Sequence, residues 1–412
     1  MLTGLTRRTV LAAGAVLAAA ALLTGCATSS GPTSSSSAAL TPSATPTPES
    51  ADAVRERRVH ELLDGLTLEQ KISSMLMLHV PGTDAGAIRS FVDTIQPGGL
   101  ILMGDNMPGL DALPALTGAL SPDPTVPLLI GIDEEGGTIQ RIDEDAFANA
   151  ESLKGLPAEE TRAAFAGRGA MLAAAGCNVN FGIVADETAD PSSFIYDRVL
   201  GTTPQDAADR VTAAVEGEHG TVLSTIKHFP GHGAAPGDSH STLPSTPMSQ
   251  AEWASTDALP FEAGIAAGAD LVMFGHLVYS SIDAAPASLS PAWHDVLRKQ
   301  LGFDGITITD DMLMLQHTGI AEFQDPSENA IRAVLAGNTM LLYVLAADPV
   351  VSGVDPAVLV SDLAAAVRSG RIPAQLVDDA AAKLLDARLR IGEKHAPGSS
   401  ATSPSVAPVS GR

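Results

Sequence analysis

Short apolar runs recur along the middle of the chain, separated by stretches rich in Ala, Leu and Arg. Runs of this kind, bounded by turn residues, read as strands buried on both faces. The pattern predicts strands at about 75–79, 99–103, 128–132, 179–183, 222–228, 271–274, 305–309 and 340–344. Stretches between them, such as 207–219 and 326–336, have the composition of helices. A first helix is expected at about 50–63, and Leu66-Thr67-Leu68-Glu69-Gln70-Lys71 reads as the capped start of the next. Eight strands alternating with helices predict an α/β fold with a parallel sheet, and eight is the number that closes a single (β/α)8 barrel of TIM type. An open doubly wound sheet is the alternative. No glycine-rich phosphate loop follows the first strand, which weakens a nucleotide-binding version of it.

Polar residues fall just after these strands, at the end where barrel enzymes carry their chemistry. The third predicted strand runs into Asp133-Glu134-Glu135-Gly136-Gly137, with Gln140-Arg141 beyond. The fourth leads through Asp186 to Asp197-Arg198. The fifth delivers Lys227 and His228, the sixth His276 and the seventh Asp310-Asp311. Taken singly, each is explained by a salt bridge or a cap. Their recurrence at equivalent strand ends points to one shared site.

The densest chemistry lies in Ile226-Lys227-His228-Phe229-Pro230-Gly231-His232-Gly233 and, further on, Asp238-Ser239-His240. Three of the chain's ten histidines, a lysine and an aspartate fall within fourteen residues. The strand breaks at Pro230 and Gly231 into a loop holding Gly233, Pro236 and Gly237. A loop histidine beside a carboxylate is a candidate acid or base near neutral pH, and a turn would bring Asp238 and His240 into contact. His228, His232, Asp238 and His240 are also conceivable metal ligands. Their spacing matches neither a helical His pair nor a paired-cysteine site, so no metal or cofactor is expected.

The chain opens with Arg7 and Arg8, an apolar run over about 10–23, and Leu23-Thr24-Gly25-Cys26. This reads as an export signal, residues 1–26, too short for a comfortable membrane span. Leu-Thr-Gly-Cys resembles the bacterial lipobox, so lipidation of Cys26 and anchoring on the extracytoplasmic face of the cell membrane are expected. Thr6-Arg7-Arg8-Thr9-Val10-Leu11 also resembles a twin-arginine signal. Residues 27–52, dominated by Ser, Thr, Ala, Pro and Gly, read as a flexible linker, and 395–412 as a tail of like composition. The barrel is assigned to 53–394. With Cys26 lipidated, Cys177 is the one cysteine left and no disulfide can form. A net charge of −24 argues against nucleic acid as a partner. Aromatic residues make up 4 % of the chain, which argues against a long aromatic-lined polysaccharide groove.

From about Leu63 to Gly392 the chain resembles the bacterial β-N-acetylglucosaminidases of glycoside hydrolase family 3. The resemblance rests on Lys-His-Phe-Pro-Gly-His-Gly followed by Asp-Ser-His and Pro244, and on Asp-Glu-Glu-Gly-Gly with Gln140-Arg141. Asp197-Arg198 and Pro286-Ala287-Ser288-Leu289-Ser290 before Leu301-Gly302-Phe303-Asp304-Gly305 fit the same pattern in order. It implies a carbohydrate substrate: hydrolysis of terminal β-linked N-acetylglucosamine with retention, often from peptidoglycan fragments, by a monomer. It further implies Asp310 as nucleophile, with Asp311 its rival, His240 as acid/base and Asp238 as its partner. Asp133, Arg198, Lys227 and His228 would hold the sugar, with Arg141 and His276 beside them. Most retaining glycosidases use two carboxylates, so an imidazole donor would be a departure from the common plan.

Two features depart from the family pattern. Thr138 stands where relatives usually carry arginine. About fifty residues follow the eighth predicted strand, room for a final helix and a tail but not for the additional α/β domain of many relatives. Alternatives to the hydrolase are a phosphorylase or a β-glucosidase on the same scaffold, and a non-catalytic sugar-binding lipoprotein.

Overall fold

In the computed structural model residues 49–395 are described. The expected signal, Cys26, most of the linker and nearly all of the C-terminal tail lie outside them. The eight main strands are β1 Leu76–Leu78, β2 Gly99–Leu102, β3 Leu129–Ile132, β4 Val179–Val184, β5 Leu223–Phe229, β6 Leu271–Phe274, β7 Ile306–Thr309 and β8 Leu341–Tyr343. Every residue in them is buried. That explains why they read as unbroken apolar runs rather than alternating ones. All pair in parallel, in the order β8-β1-β2-β3-β4-β5-β6-β7. A parallel bridge from Ile308 of β7 to Met340, just before β8, closes the ring. The architecture is a (β/α)8 barrel, and the predicted strands match it to within a residue or two.

The helices start where local chemistry stops a competing conformation. Thr67 forms a capping box with Gln70 and opens Leu68–Ser74. Thr203 caps Pro204–Glu218, and Asp325 caps Pro326–Ala336, which ends at Gly337 with φ 119°. Two boundaries differ from expectation. The first helix stands where it was expected, Ala51–Asp64 capped by Ser50, so the linker ends at about 49 rather than 52, and the last helix runs through His395, the first residue assigned to the tail. Three helices rather than one follow β8: Pro349–Ser352, Pro356–Arg368 and Ala374–His395. Asp348 and Asp355, each capping a helix that begins with Pro, divide that stretch.

The terminal helices pack together. Val59 and Leu63 cluster with Ala381, Leu385 and Leu389, and Arg55 Nε reaches Asp386 Oδ1 at 2.8 Å. Arg388 donates to the carbonyls of Pro127 and Val126, ahead of β3, so these helices cover the end of the barrel where strands begin. The chemistry is left at the other end.

The scarce aromatics are concentrated behind that chemistry. Phe229 at the end of β5 meets Trp253, Phe261, Phe274 and Trp293 edge-on, with centroids 5.0–5.9 Å apart. Two further contacts hold the backbone leaving β5: Trp253 Nε1 donates to Pro230 O (2.8 Å) and Tyr279 OH to Gly231 O (2.7 Å). The root of the 230–242 loop is therefore fixed to the core, while Pro236, Gly237 and His240 are exposed.

Candidate active site

Lys227 and His228 are neighbours on β5, and in a regular strand their side chains would point to opposite faces. The ladder is irregular here: the register shifts against β4 between Asn180 and Ile183, and against β6 between Ile226 and Phe229. Such irregularities re-aim side chains at barrel rims. Both residues reach the polar cluster. Lys227 Nζ lies 2.7 Å from Asp133 Oδ1 and 2.8 Å from Glu135 Oε1. Arg198 grips Glu135 with two parallel bonds, Nε to Oε2 at 2.9 Å and Nη2 to Oε1 at 2.7 Å. Burial opposes the charge on Glu135, but Arg198 and Lys227 outweigh it and hold the carboxyl at about 2. The same contest leaves Asp133 below the ordinary carboxylate range: burial raises it, and Lys227 and Arg141 bring it down. Arg141 Nη2 stands 3.5 Å from Asp133 Oδ2.

His228 is locked in one tautomer. Its Nδ1–H donates to Asp186 Oδ2 at 2.7 Å, which leaves Nε2 to accept from Arg198 Nη2 at 3.3 Å. Burial, followed by the positive charge of Arg198, drives its pKa well below the usual value, so the ring is neutral. Asp186 is wholly buried and also accepts the backbone N–H of His228 and of His232 (2.6 Å). It ties the strand end to the loop that follows.

Asp310 follows β7 directly. Its Oδ1 accepts the N–H of Asp311 at 2.8 Å. Burial raises its pKa, while His228, His276, the Asp311 N–H and Lys227 lower it, and the net position is below the ordinary range. Burial keeps both histidines neutral, so Lys227 carries the permanent charge. Asp311 is built differently. Its Oδ1 accepts from Leu313 N and Val344 N at 3.1 and 3.0 Å, and burial lifts the carboxyl to about 7. It ties the turn after β7 to the chain leaving β8. His276 is buried, accepting from Ser288 Oγ (2.7 Å) and donating to Asp311 O (3.0 Å), so it orders the same turn from behind.

Asp238 and His240 form a dyad on the loop. His240 Nδ1 and the His240 N–H both meet Asp238 Oδ1, at 2.8 and 2.9 Å. Slight burial raises Asp238, and the His240 N–H and ring hold it below its usual value. The His240 ring is largely exposed, with Nε2 free to face a substrate, and it lies close enough to Asp311 to lower that carboxyl's pKa.

Asp133, Arg141, Arg198, Lys227, His228 and Asp310 thus meet at the strand-end mouth of the barrel, with His276 behind and the Asp238–His240 dyad on the loop beside it. Asp197 is exposed and takes no part in this network. The four residues considered as metal ligands are divided among Asp186, Ser239 and each other, and among the described residues no three such side chains are arranged to hold a metal ion. Sequence reasoning assigned no role to Glu135, Asp186 or Phe194. Asp186 carries a signal, standing just past β4. Glu135 carries the same signal, three residues past β3, and Phe194 is revealed only by contacts across the fold. A cavity of 270 Å³ lined by Thr117, Ile130, Cys177 and Leu223 lies at the opposite end of the barrel, remote from this chemistry.

Residues 67–387 match the family model described as the glycosyl hydrolase family 3 N-terminal domain. The chain is similar to a β-hexosaminidase of Methylococcus capsulatus, 34 % identical over 267 residues that cover 62 % of this chain and 77 % of the relative. It is similar to another from Nitrosospira multiformis, 35 % identical over 257 residues, covering 60 % and 72 %. A family 3 β-N-acetylglucosaminidase structure from a Paenibacillus species superposes with a TM-score of 0.73 at 30 % identity, covering 84 % of this chain and 66 % of that one. A β-N-acetylhexosaminidase structure from Beutenbergia cavernae gives 0.69 at 30 % identity, covering 78 % and 98 %.

Proposed function

We propose, for a chain that belongs to glycosyl hydrolase family 3, that it removes terminal β-linked N-acetylglucosamine by a retaining, two-step reaction. The observation that carries this reading is the pairing of an ionised Asp310 at the barrel mouth with a free-standing Asp238–His240 dyad on the adjoining loop. Asp310 attacks the anomeric carbon while His240 Nε2–H protonates the departing oxygen. In the second step His240 takes a proton from water, which displaces Asp310. Asp238 holds the imidazole with Nδ1 inward and supports the positive charge it carries in its acid form, as carboxylates do for histidines in other sites. Asp133, Lys227, Arg198 and His228, fixed by one another, present a rigid polar wall to the sugar hydroxyls and the acetamido group. The four are held before substrate arrives, so little ordering cost falls on binding.

A site built to pair an acetamido group rejects a substrate lacking it by a large factor, about 10⁴ where buried polar groups are left unpaired. Chromogenic β-N-acetylglucosaminide should be turned over at least about a hundredfold faster than the β-glucoside. Equal rates would place the protein with β-glucosidases. A neutral imidazole, unlike a carboxylate, does not repel phosphate, so the assay is run with and without phosphate. Turnover that requires phosphate would make the enzyme a phosphorylase.

Anchoring at Cys26 rests on the lipobox-like Leu23-Thr24-Gly25-Cys26 after the apolar run. Acyl chains supply the hold on a bilayer, two of them for stable attachment. Cys26→Ser should move the protein from the membrane fraction to the medium, and unchanged sedimentation with membranes would remove the anchor from the proposal.

A further inference from the structure

The loop that carries Asp238 and His240 is tied to the fold at both ends, at Pro230–Gly231 and at Pro244–Thr246, and His240 stands on the span between. His232, near the root, is buried. Its N–H bonds Asp186 at 2.6 Å and its Nε2 meets Ser239 Oγ at 3.0 Å. His240 has no such support. Its hydrogen bonds go to Asp238, two residues away on the same loop, and a ring held only by its own loop moves wherever the loop moves. Among the described residues, one ring contact reaches His240 from elsewhere in the fold. Phe194 packs edge-on against it, centroids 5.6 Å apart and planes at 69°. The same Phe194 lies 5.5 Å from the His232 ring, tilted by 39°. One side chain therefore spans the anchored and the free histidine of the loop.

Phe194 is itself well placed to serve as a fixed point. It stands in the turn-rich segment after β4, where Ser193 N–H bonds Asp190 O at 3.0 Å and Tyr196 N–H bonds Ser193 O at 3.1 Å. The next residue, Ile195, is wholly buried in a small cluster with Val184 and Val199. Arg198, clamped on Glu135, follows within a turn. Yet Phe194 is 38 % exposed, with Phe147 one of two phenylalanines left so open in a chain that buries most of its aromatics. Burial of its own surface does not account for that position. Contact with the two histidines does.

We infer that Phe194 is the positioning residue for the acid/base: it stacks the loop histidines so that His240 faces the site rather than solvent. The inference rests on the assignment of His240 above and deepens it. Phe194 does not touch the reacting atoms; it acts by raising the fraction of molecules in which His240 is aimed inward. An aromatic edge-to-face contact is strong enough to shift such an equilibrium by about two- to tenfold.

The test compares two aryl β-N-acetylglucosaminides that differ in leaving group, dinitrophenyl and unsubstituted phenyl. Phenolate needs the proton from His240, and dinitrophenolate does not. The parameter is kcat/KM, which reports steps through formation of the glycosyl-enzyme. For Phe194→Ala we expect kcat/KM on the phenyl substrate to fall about three- to tenfold, with the dinitrophenyl value within about twofold of wild type. Phe194→Tyr, which keeps the ring, should restore the phenyl activity, and Phe194→Leu, which keeps only apolar bulk, should not. A merely structural role would lower both substrates together and would let leucine substitute. His240→Ala is run in parallel. If it discriminates between the leaving groups and Phe194→Ala does not, the positioning role is overturned and the acid/base stands. If neither discriminates, the assignment of His240 fails and the inference fails with it.

Discussion

At the residue scale, two adjacent carboxyls with the same side chain have been given different work by their neighbours. Asp310 has one oxygen on the next N–H and is held ionised, whereas Asp311 accepts two backbone N–H groups on one oxygen and is lifted to about 7. A nucleophile must be charged and uncommitted, so the geometry favours Asp310. The resemblance put Asp310 ahead of Asp311, but the physical ground for that order was not legible in the sequence, because it depends on Val344 just past the next strand, over thirty positions away. Asp310→Ala should abolish turnover of every substrate, whatever its leaving group, since no covalent intermediate can form. His240→Ala should keep a fast first step on dinitrophenyl substrate and then stall, because no base activates water. General acid–base help is worth about 10²–10⁴-fold. Added azide, which needs no base, should relieve the stall and yield a glycosyl azide of retained configuration. Failure of azide to accelerate the second step would show that His240 does not serve as its base.

At the scale of elements, the strands were legible because parallel barrel strands are buried on both sides and so write themselves as apolar runs. Helix starts were legible where Thr67 or a Pro after a cap marked them. The loops were not. The segment after β4 and the 230–242 loop take their shape from contacts between them, and no periodicity records a contact between loops. Gly233 shows how close that fit is. A Cβ there would sit 1.7 Å from the carbonyl oxygen of Glu187, on the segment after β4. Backbone has no far end to swing aside, so Gly233→Ala must push the two loops apart. The displacement falls between the fixed root at Gly231 and the dyad, and a shift of about 1 Å in a catalytic group can cost about 10²-fold in rate. Gly233→Ala should therefore lose activity on poor leaving groups by about that factor. Because the strain falls on loops rather than on the barrel strands, its melting temperature should stay within a few degrees of wild type. Full activity in that variant would mean the loop has slack the structure does not show. By contrast Gly220→Ala meets no neighbouring atom, although its φ of 82° strains any side chain, and serves as a control for glycine replacement remote from the site.

At the scale of the whole molecule, the charge balance carries a pH dependence that composition alone cannot show. The chain is strongly acidic, and that much was plain at once. It was not visible that several carboxyls are buried without a full countercharge. Glu218 has no solvent contact; burial lifts it to about 8, against the bond Asn180 Nδ2 donates to its Oε1 at 2.5 Å. Glu134, also inaccessible, is lifted to about 8 by burial and by nearby Asp145, whose charge is committed to Arg168 at 2.6 Å. Asp257, beneath the root of the catalytic loop, stands at about 7, again chiefly through burial. For each, the folded pKa exceeds the unfolded one. Between the two values the unfolded chain has released the proton and the folded chain retains it. The unfolded state then binds fewer protons, so stability falls as pH rises, by about 1.4 kcal/mol per pH unit for each such group. Glu135 has the opposite sign: held at about 2, it contributes stability above its unfolded value near 4.5 that is lost as pH falls toward 2. The buried histidines His228, His232, His276 and His294 share that second sign: burial lowers each, so their contribution is lost as pH falls below about 6.5 and offsets the carboxyls there. Above about pH 6.5 the raised carboxyls are left to act, and stability declines through about pH 8. Glu218→Gln isolates one contributor, since glutamine keeps the acceptor for Asn180 and cannot ionise. Thermal unfolding of wild type should drop by several degrees between about pH 6.5 and about pH 8.5. Followed from about pH 5 to about pH 8.5, the Glu218→Gln curve should lack the slope of about one proton that Glu218 gives wild type, meeting it near the acidic end and lying above it at the alkaline end. Parallel curves for the two proteins would show that Glu218 is already ionised in the fold, and that its burial is relieved by something other than a proton.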